Sequence, residues 1–117
     1  MPLIEPAFVA RVPGGVSDKG QLMSLLKDAL DFPNYFGRNW DALSDCLCDL
    51  SWLAAGPVML IHDELPQLSE KELRIYVDIL ASASARPRKT SHELSVVFAE
   101  RDRKVVAGLL PPCTLIQ

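Results

Sequence analysis

Cysteine is scarce in this chain, three among 117 residues, and so small an odd number does not make a disulfide framework. Cys46-Leu47-Cys48 is also too closely spaced for the usual zinc arrangement. No apolar run is long enough to cross a bilayer, which argues against a membrane partner. The stretch Met1-Pro2-Leu3-Ile4-Glu5-Pro6 lacks the basic head and long apolar core of a secretion signal. The expectation is a cytoplasmic protein with reduced thiols, Cys46 buried and Cys48 open to solvent. Surplus positive charge is missing as well, with 12 Lys and Arg against 15 Asp and Glu and a net charge of -3. Nucleic-acid binding is driven by neutralising phosphates, so this balance argues against a direct nucleic-acid partner. It favours a basic protein, whose approach opposite charge would accelerate.

The deficit is uneven, -6 over residues 1–85 and +3 over 86–117. The bases Arg86, Arg88 and Lys89 have no aromatic interleaved among them, so the small, polar stretch Ala81 to Ser95 reads as a solvated connection rather than a nucleic-acid patch. Histidine occurs twice. His62 precedes Asp63 and Glu64 at a strand end, where α/β proteins place ligand sites. No second histidine, glycine loop or nucleophile stands near it, and a polar strand end is the simpler account. His92 has no visible partner and is expected to be exposed.

What the chain does have is enough apolar residue, 49%, to fold as one domain, removing about 65% of its unfolded surface from water. Ala7 to Val12 reads as a strand, and Pro13-Gly14-Gly15 as the turn after it. Asp18-Lys19-Gly20-Gln21 resembles a capping box opening a helix with Leu22, Leu25, Leu26, Ala29 and Leu30 on its apolar face, up to Pro33. Ser51 to Pro57 is a loop in which Trp52 either packs over the core or projects beside the preceding helix. Val58-Met59-Leu60-Ile61 is a continuous apolar run, as in a central strand covered on both faces. Ser69-Glu70-Lys71-Glu72 caps a helix that buries Leu73, Tyr76, Val77 and Leu80. Leu94 to Ala99 is the third strand. Strands alternating with helices predict a parallel sheet with right-handed crossovers. The apolar content of residues 100–117 must be covered by the sheet edge, a helix or a subunit contact.

The most informative stretch is Phe32 to Leu50. Pro33 ends the first helix, and Gly37 permits a positive φ or a close approach. At least one ring of Tyr35 and Phe36 is hard to bury at such a turn. With Asn39 as N-cap, a helix follows in which Leu43, Cys46, Leu47 and Leu50 share the buried side and Trp40 stands at its edge. Asp41, Asp45 and Asp49 fall on the other side in one row, with Ser44 and Cys48 beside them and no cation along the helix to neutralise them. Like charges at that spacing disfavour the helix by about 0.2–0.5 kcal/mol per pair. The helix dipole accounts for Asp41 in the first turn but not for the row. An aromatic, a bare glycine and an acid row in sequence suit a contact surface for a cationic partner, since carboxylates accept paired hydrogen bonds from guanidinium groups.

At Pro33, Tyr35, Gly37, Asn39, Asp41-Ala42-Leu43 and Asp45-Cys46-Leu47, preceded by the helix Leu22 to Leu30, the sequence resembles the barstar family of intracellular ribonuclease inhibitors. The resemblance extends over about residues 7–99. It implies a small three-stranded parallel sheet with packed helices, here a single domain with a C-terminal extension from 100 to 117. It implies that the loop and helix plug a ribonuclease active site, the aspartates standing in for RNA phosphates. Carried over by position, the partner-binding residues are Tyr35, Gly37, Asn39, Asp41, Asp45 and Cys48, with Asp78 near the same surface. Arg38 and Ser44 depart from the pattern, since the best-known member has an acidic residue and a tryptophan there. The first weakens the local negative field and the second removes an apolar anchor.

The expected function is therefore stoichiometric inhibition of a basic ribonuclease, such as a secreted toxin, with no chemistry or cofactor of its own. The alternative is an interaction module of the same fold with a non-ribonuclease partner or a homo-oligomeric role. An enzyme using the aspartates is disfavoured, because carboxylates on an open helix face lack the apolar pocket that shifts a pKa into catalytic range.

Overall fold

A computed structural model describes residues 8–33, 36–37, 39–53, 56–85 and 93–109. Three parallel strands, β1 (Phe8–Val12), β2 (Val58–His62) and β3 (Leu94–Phe98), lie in the order β1-β2-β3. Val12, His62 and Phe98 stand abreast at the end of the ladder. Helices α1 (Lys19–Leu30) and α2 (Trp40–Asp49) fill the first crossover and α3 (Glu70–Ala85) the second. A 3-10 turn, Glu100–Asp102, and a short α4 (Arg103–Leu109) follow β3.

Local sequence sets these boundaries. Asp18 caps α1 by accepting from the Gln21 amide at 2.7 Å, and the Gln21 side chain accepts from the Ser17 amide in return. Ser69 caps α3 through the Glu72 amide. Both α1 and α2 end on residues in the left-handed region that are not glycine, Asp31 (φ 54°) and Leu50 (φ 55°). Trp52 packs at the end of the core rather than beside the acidic row. Its indole N–H donates to the Leu30 carbonyl at 3.0 Å, satisfying one of the orphan acceptors at the end of α1, and its ring meets Phe32 edge-on.

The helices lie against one face of the sheet, where Ala10, Val12, Val58, Leu60, His62 and Leu94 are buried with Leu22, Leu26, Leu43, Leu47 and Leu80. Among the described residues no helix covers the other face. Val9 is 50% and Val97 39% exposed, and Met59 and Ile61 are only half-buried. This corrects the expectation that the apolar run of β2 is covered on both sides: three strands joined by one layer of helices leave the alternate residues at the surface. A second correction concerns Ala81 to Ala85, read from sequence as connection. They are the last turn of α3, with Ala83 fully buried. Alanine is the strongest helix former, and small side chains are what close approach to the core requires.

The extension is covered in part. Val106 and Leu109 of α4 are buried against Val77 of α3, flanked by Leu65, Leu73 and Phe98. Arg101 donates to the Asp63 carbonyl at 2.9 Å, and Asp102 accepts from the Leu65 amide, tying the extension to the exit of β2. Residues 110–117, like Tyr35, Arg38, His92 and the basic run 86–89, lie outside the described residues.

Candidate functional site

The segment before α2 is anchored by its aromatics. Phe32 and Phe36 are both buried, their rings 4.8 Å apart, and the Phe36 amide donates to the Pro33 carbonyl at 3.0 Å to close the turn. Gly37 is exposed and is not among the glycines with positive φ. Its value is space: a Cβ there would lie 3.3 Å from Asn39 Nδ2. Asn39 is the N-cap, its Oδ1 accepting from the Ala42 amide at 2.7 Å and its carbonyl from the Leu43 amide. The glycine thus leaves room for the amide that starts the helix.

From that start the faces of α2 divide as the spacing requires. Leu43, Cys46, Leu47 and Leu50 are buried and Trp40 is half-buried at the edge. Asp41 and Asp45 are exposed, while Asp49 and Ser44 are half-buried. A helix advances about 6 Å over four residues, so the three carboxylates stand in a row of that step. Among the described residues none of the three is in an ion pair; the pairs formed are Arg11–Asp63, Arg74–Glu70, Arg101–Glu64 and Arg103–Glu100. Cys48 is half-buried and packs against the core, so it is less open than expected. Cys46 is buried, and that burial, with the Asp45 and Asp49 carboxylates adding to it, pushes its thiol pKa up and keeps it protonated.

Two contacts beside the row were not legible from spacing. The Lys19 ammonium sits 5.2 Å from the centre of the Trp40 ring, and Trp40 lies tilted against Tyr76 at 6.3 Å. They bring the start of α1, the start of α2 and the middle of α3 together behind Asp41. Asp78 is exposed on α3, the helix against which α2 packs.

The run His62-Asp63-Glu64 forms no common centre. His62 is buried, with Nδ1 3.1 Å from the Val97 carbonyl and Nε2 2.6 Å from the Tyr76 hydroxyl, and its ring stacks on Phe98. Since the carbonyl can only accept, Nδ1 carries the proton and Nε2 accepts from tyrosine. Burial lowers the His62 pKa to about 4, despite opposing contributions from the Val97 carbonyl and from Asp102 and Asp63. Asp63 pairs with Arg11 at 2.6 Å, and Glu64 accepts from the Gly15 amide. Among the described residues no three His, Cys, Asp or Glu side chains are gathered so as to hold a metal ion. None of their helices is long and apolar enough to cross a membrane.

The model of a family described as "Barstar (barnase inhibitor)" matches residues 8–99. Over 22 residues the chain is 77% identical to a protein of Bacillus subtilis (strain 168) named "Putative ribonuclease inhibitor YrdF". That stretch is 19% of this chain and 24% of the relative, so the match spans about a quarter of the relative's length.

Proposed function

Since the chain belongs to the barstar family, we propose that it inhibits a basic ribonuclease by setting the α2 carboxylates into the enzyme's phosphate-binding groove. The observation that carries this reading is the exposure of Asp41 and Asp45 on a helix whose opposite face is locked in the core, with no cation paired to them among the described residues. Charges held on a rigid element lose little freedom on binding, so more of the attraction survives as affinity. Asp41 and Asp45 pair with arginine or lysine of the enzyme, and Tyr35 packs against it. Gly37 and Asn39 add main-chain and amide contacts at the rim, and Cys48 lies between the carboxylates and the core. The protein acts by occlusion and catalyses nothing, in the cytoplasm of a cell that it protects from a ribonuclease toxin.

The test is a titration of ribonuclease activity with wild-type protein, Asp41→Ala and Asp45→Ala. Inhibition at one-to-one stoichiometry that both substitutions weaken is the expected result. Undiminished inhibition by both variants overturns the proposed contact. Ser44 favours a second reading, a barstar-like module with a non-ribonuclease partner, because the site lacks a large apolar anchor there. Ribonuclease activity unaffected by excess protein, together with capture of a non-nuclease through α2, selects that reading.

A further inference from the structure

The two ends of α2 are tied to one buried side chain, Phe32. Its amide donates to the Lys27 carbonyl at 3.0 Å, which fixes it to the end of α1. Before α2, the Phe36 ring meets Phe32 at 4.8 Å, and the chain then reaches Gly37 and the cap Asn39. After α2, Leu50 in the left-handed region turns the chain back, and the Leu53 amide closes that turn on the Leu50 carbonyl at 3.1 Å. Trp52 lies within this turn. Its ring meets the same Phe32 at 5.8 Å and nearly at right angles, an arrangement aromatic pairs favour.

We propose that Trp52 is a positioning residue for the partner-binding face: it closes α2 onto the end of α1 and so fixes the start of the helix, where Gly37, Asn39 and Asp41 stand. This rests on the reading of α2 as the face offered to a ribonuclease. Bulk alone does not explain a tryptophan here, because Trp52 is only half-buried. Its N–H donates to the Leu30 carbonyl at 3.0 Å, and that directional bond sets how far the ring reaches toward Phe32. The same Phe32 ring supports Phe36 from below, so a displaced Trp52 loosens the turn that Phe36 closes on Pro33. Contacts that hold a binding segment in place before the partner arrives reduce the ordering left to be done on association. Trp52 touches no partner in this arrangement; it acts through Phe32 and Phe36.

The test compares Trp52→Leu and Trp52→Phe in the full-length chain with Val77→Ala, a cut into the separate cluster between α3 and α4. Amide exchange of the free protein is read first. Trp52→Leu speeds exchange at Phe36, Ala42 and Leu43, whose amides carry the turn and cap bonds, clearly more than at Leu60 on β2. Titration against the basic ribonuclease follows, and Trp52→Leu binds about 10-fold more weakly, the cost of ordering one or two side chains on association. Trp52→Phe keeps a ring against Phe32 and recovers most of both effects. Val77→Ala lowers the unfolding midpoint and changes neither the local exchange nor the affinity. Exchange that rises evenly along the chain in Trp52→Leu, or affinity lost equally in Val77→Ala, makes Trp52 an ordinary core residue and overturns the assignment. Undiminished inhibition by Asp41→Ala and Asp45→Ala removes the ribonuclease contact instead, and exchange in the free protein then decides the role of Trp52 by itself.

Discussion

The hydroxyl of Tyr76, fully buried on α3, donates at 2.6 Å to Nε2 of His62 at the end of β2. The partner it supplies makes His62 a neutral core residue, because the opposite nitrogen already gives its proton to the Val97 carbonyl. Two ring nitrogens and two partners leave no place for an added proton without loss of a bond or a charge held away from water. Burial in turn holds the tyrosine pKa above its ordinary value, so the hydroxyl stays a donor at all moderate pH.

A pH dependence follows. Unfolded, His62 titrates near its ordinary value of 6.5, whereas in the fold it does so at about 4. Between those values the unfolded chain binds the extra proton, so stability rises with pH across the window and falls as pH is lowered through it. A depression of that size corresponds to about 3 kcal/mol of stability present above pH 6.5 and lost by pH 4. Urea unfolding at a series of pH values measures it. His62→Gln should flatten the slope between pH 4 and 6.5.

Tyr76→Phe removes only the hydroxyl oxygen and leaves Nε2 of His62 buried without its donor. The expected cost is about 1–3 kcal/mol, the penalty of an unsatisfied polar group. Thermal unfolding at pH 7.5 reads it.

The two left-handed helix ends separate backbone strain from burial. Asp31 is exposed at φ 54°, with its carboxylate at the negative end of α1. Asp31→Gly should raise stability by about 1 kcal/mol, since glycine carries no steric penalty in that conformation. Leu50 adopts nearly the same φ, 55°, but is completely buried. Leu50→Gly should lower stability, because a fully buried leucine contributes about 2 kcal/mol of burial, more than the strain relieved. Opposite signs in denaturant unfolding support this account.

Much of this architecture is legible in the sequence, for definite reasons. The caps Asp18, Asn39 and Ser69 and the periodic leucines fix three helices, and the faces of α2 follow from its spacing alone. The exposed face of β2 was hidden by Met59 and Ile61, which look like core in an apolar run yet end half-buried, with no second layer of helices over them among the described residues. The end of α3 was hidden by Ala81 to Ala85, whose small side chains resemble a linker until Ala83 is seen in the core. His62 misleads locally because the partner that neutralises it lies on another element, 14 residues away. Of the carried-over residues, Gly37 and Asn39 proved to be linked, the one making space for the other, which the spacing gives no sign of.

The acidic row makes stability and binding move in different directions. Asp45 has Asp41 one turn before it and Asp49 one turn after, so removing its charge relieves two repulsions of about 0.2–0.5 kcal/mol each. Asp45→Ala should therefore hold or slightly raise stability. Asp41→Ala relieves one repulsion but loses a favourable contact with the helix N-terminus of about 0.3–1 kcal/mol, so its stability should be unchanged or slightly reduced. For the proposed ribonuclease partner both should lose affinity by about 10- to 100-fold, the worth of a hydrogen bond to a charged group. Calorimetric titration with the enzyme, run beside urea unfolding of the free protein, measures both quantities. Lost affinity with a firmer fold in Asp45→Ala identifies a carboxylate kept for its partner. A marked loss of stability in that variant would mean instead that the side chain supports its own helix.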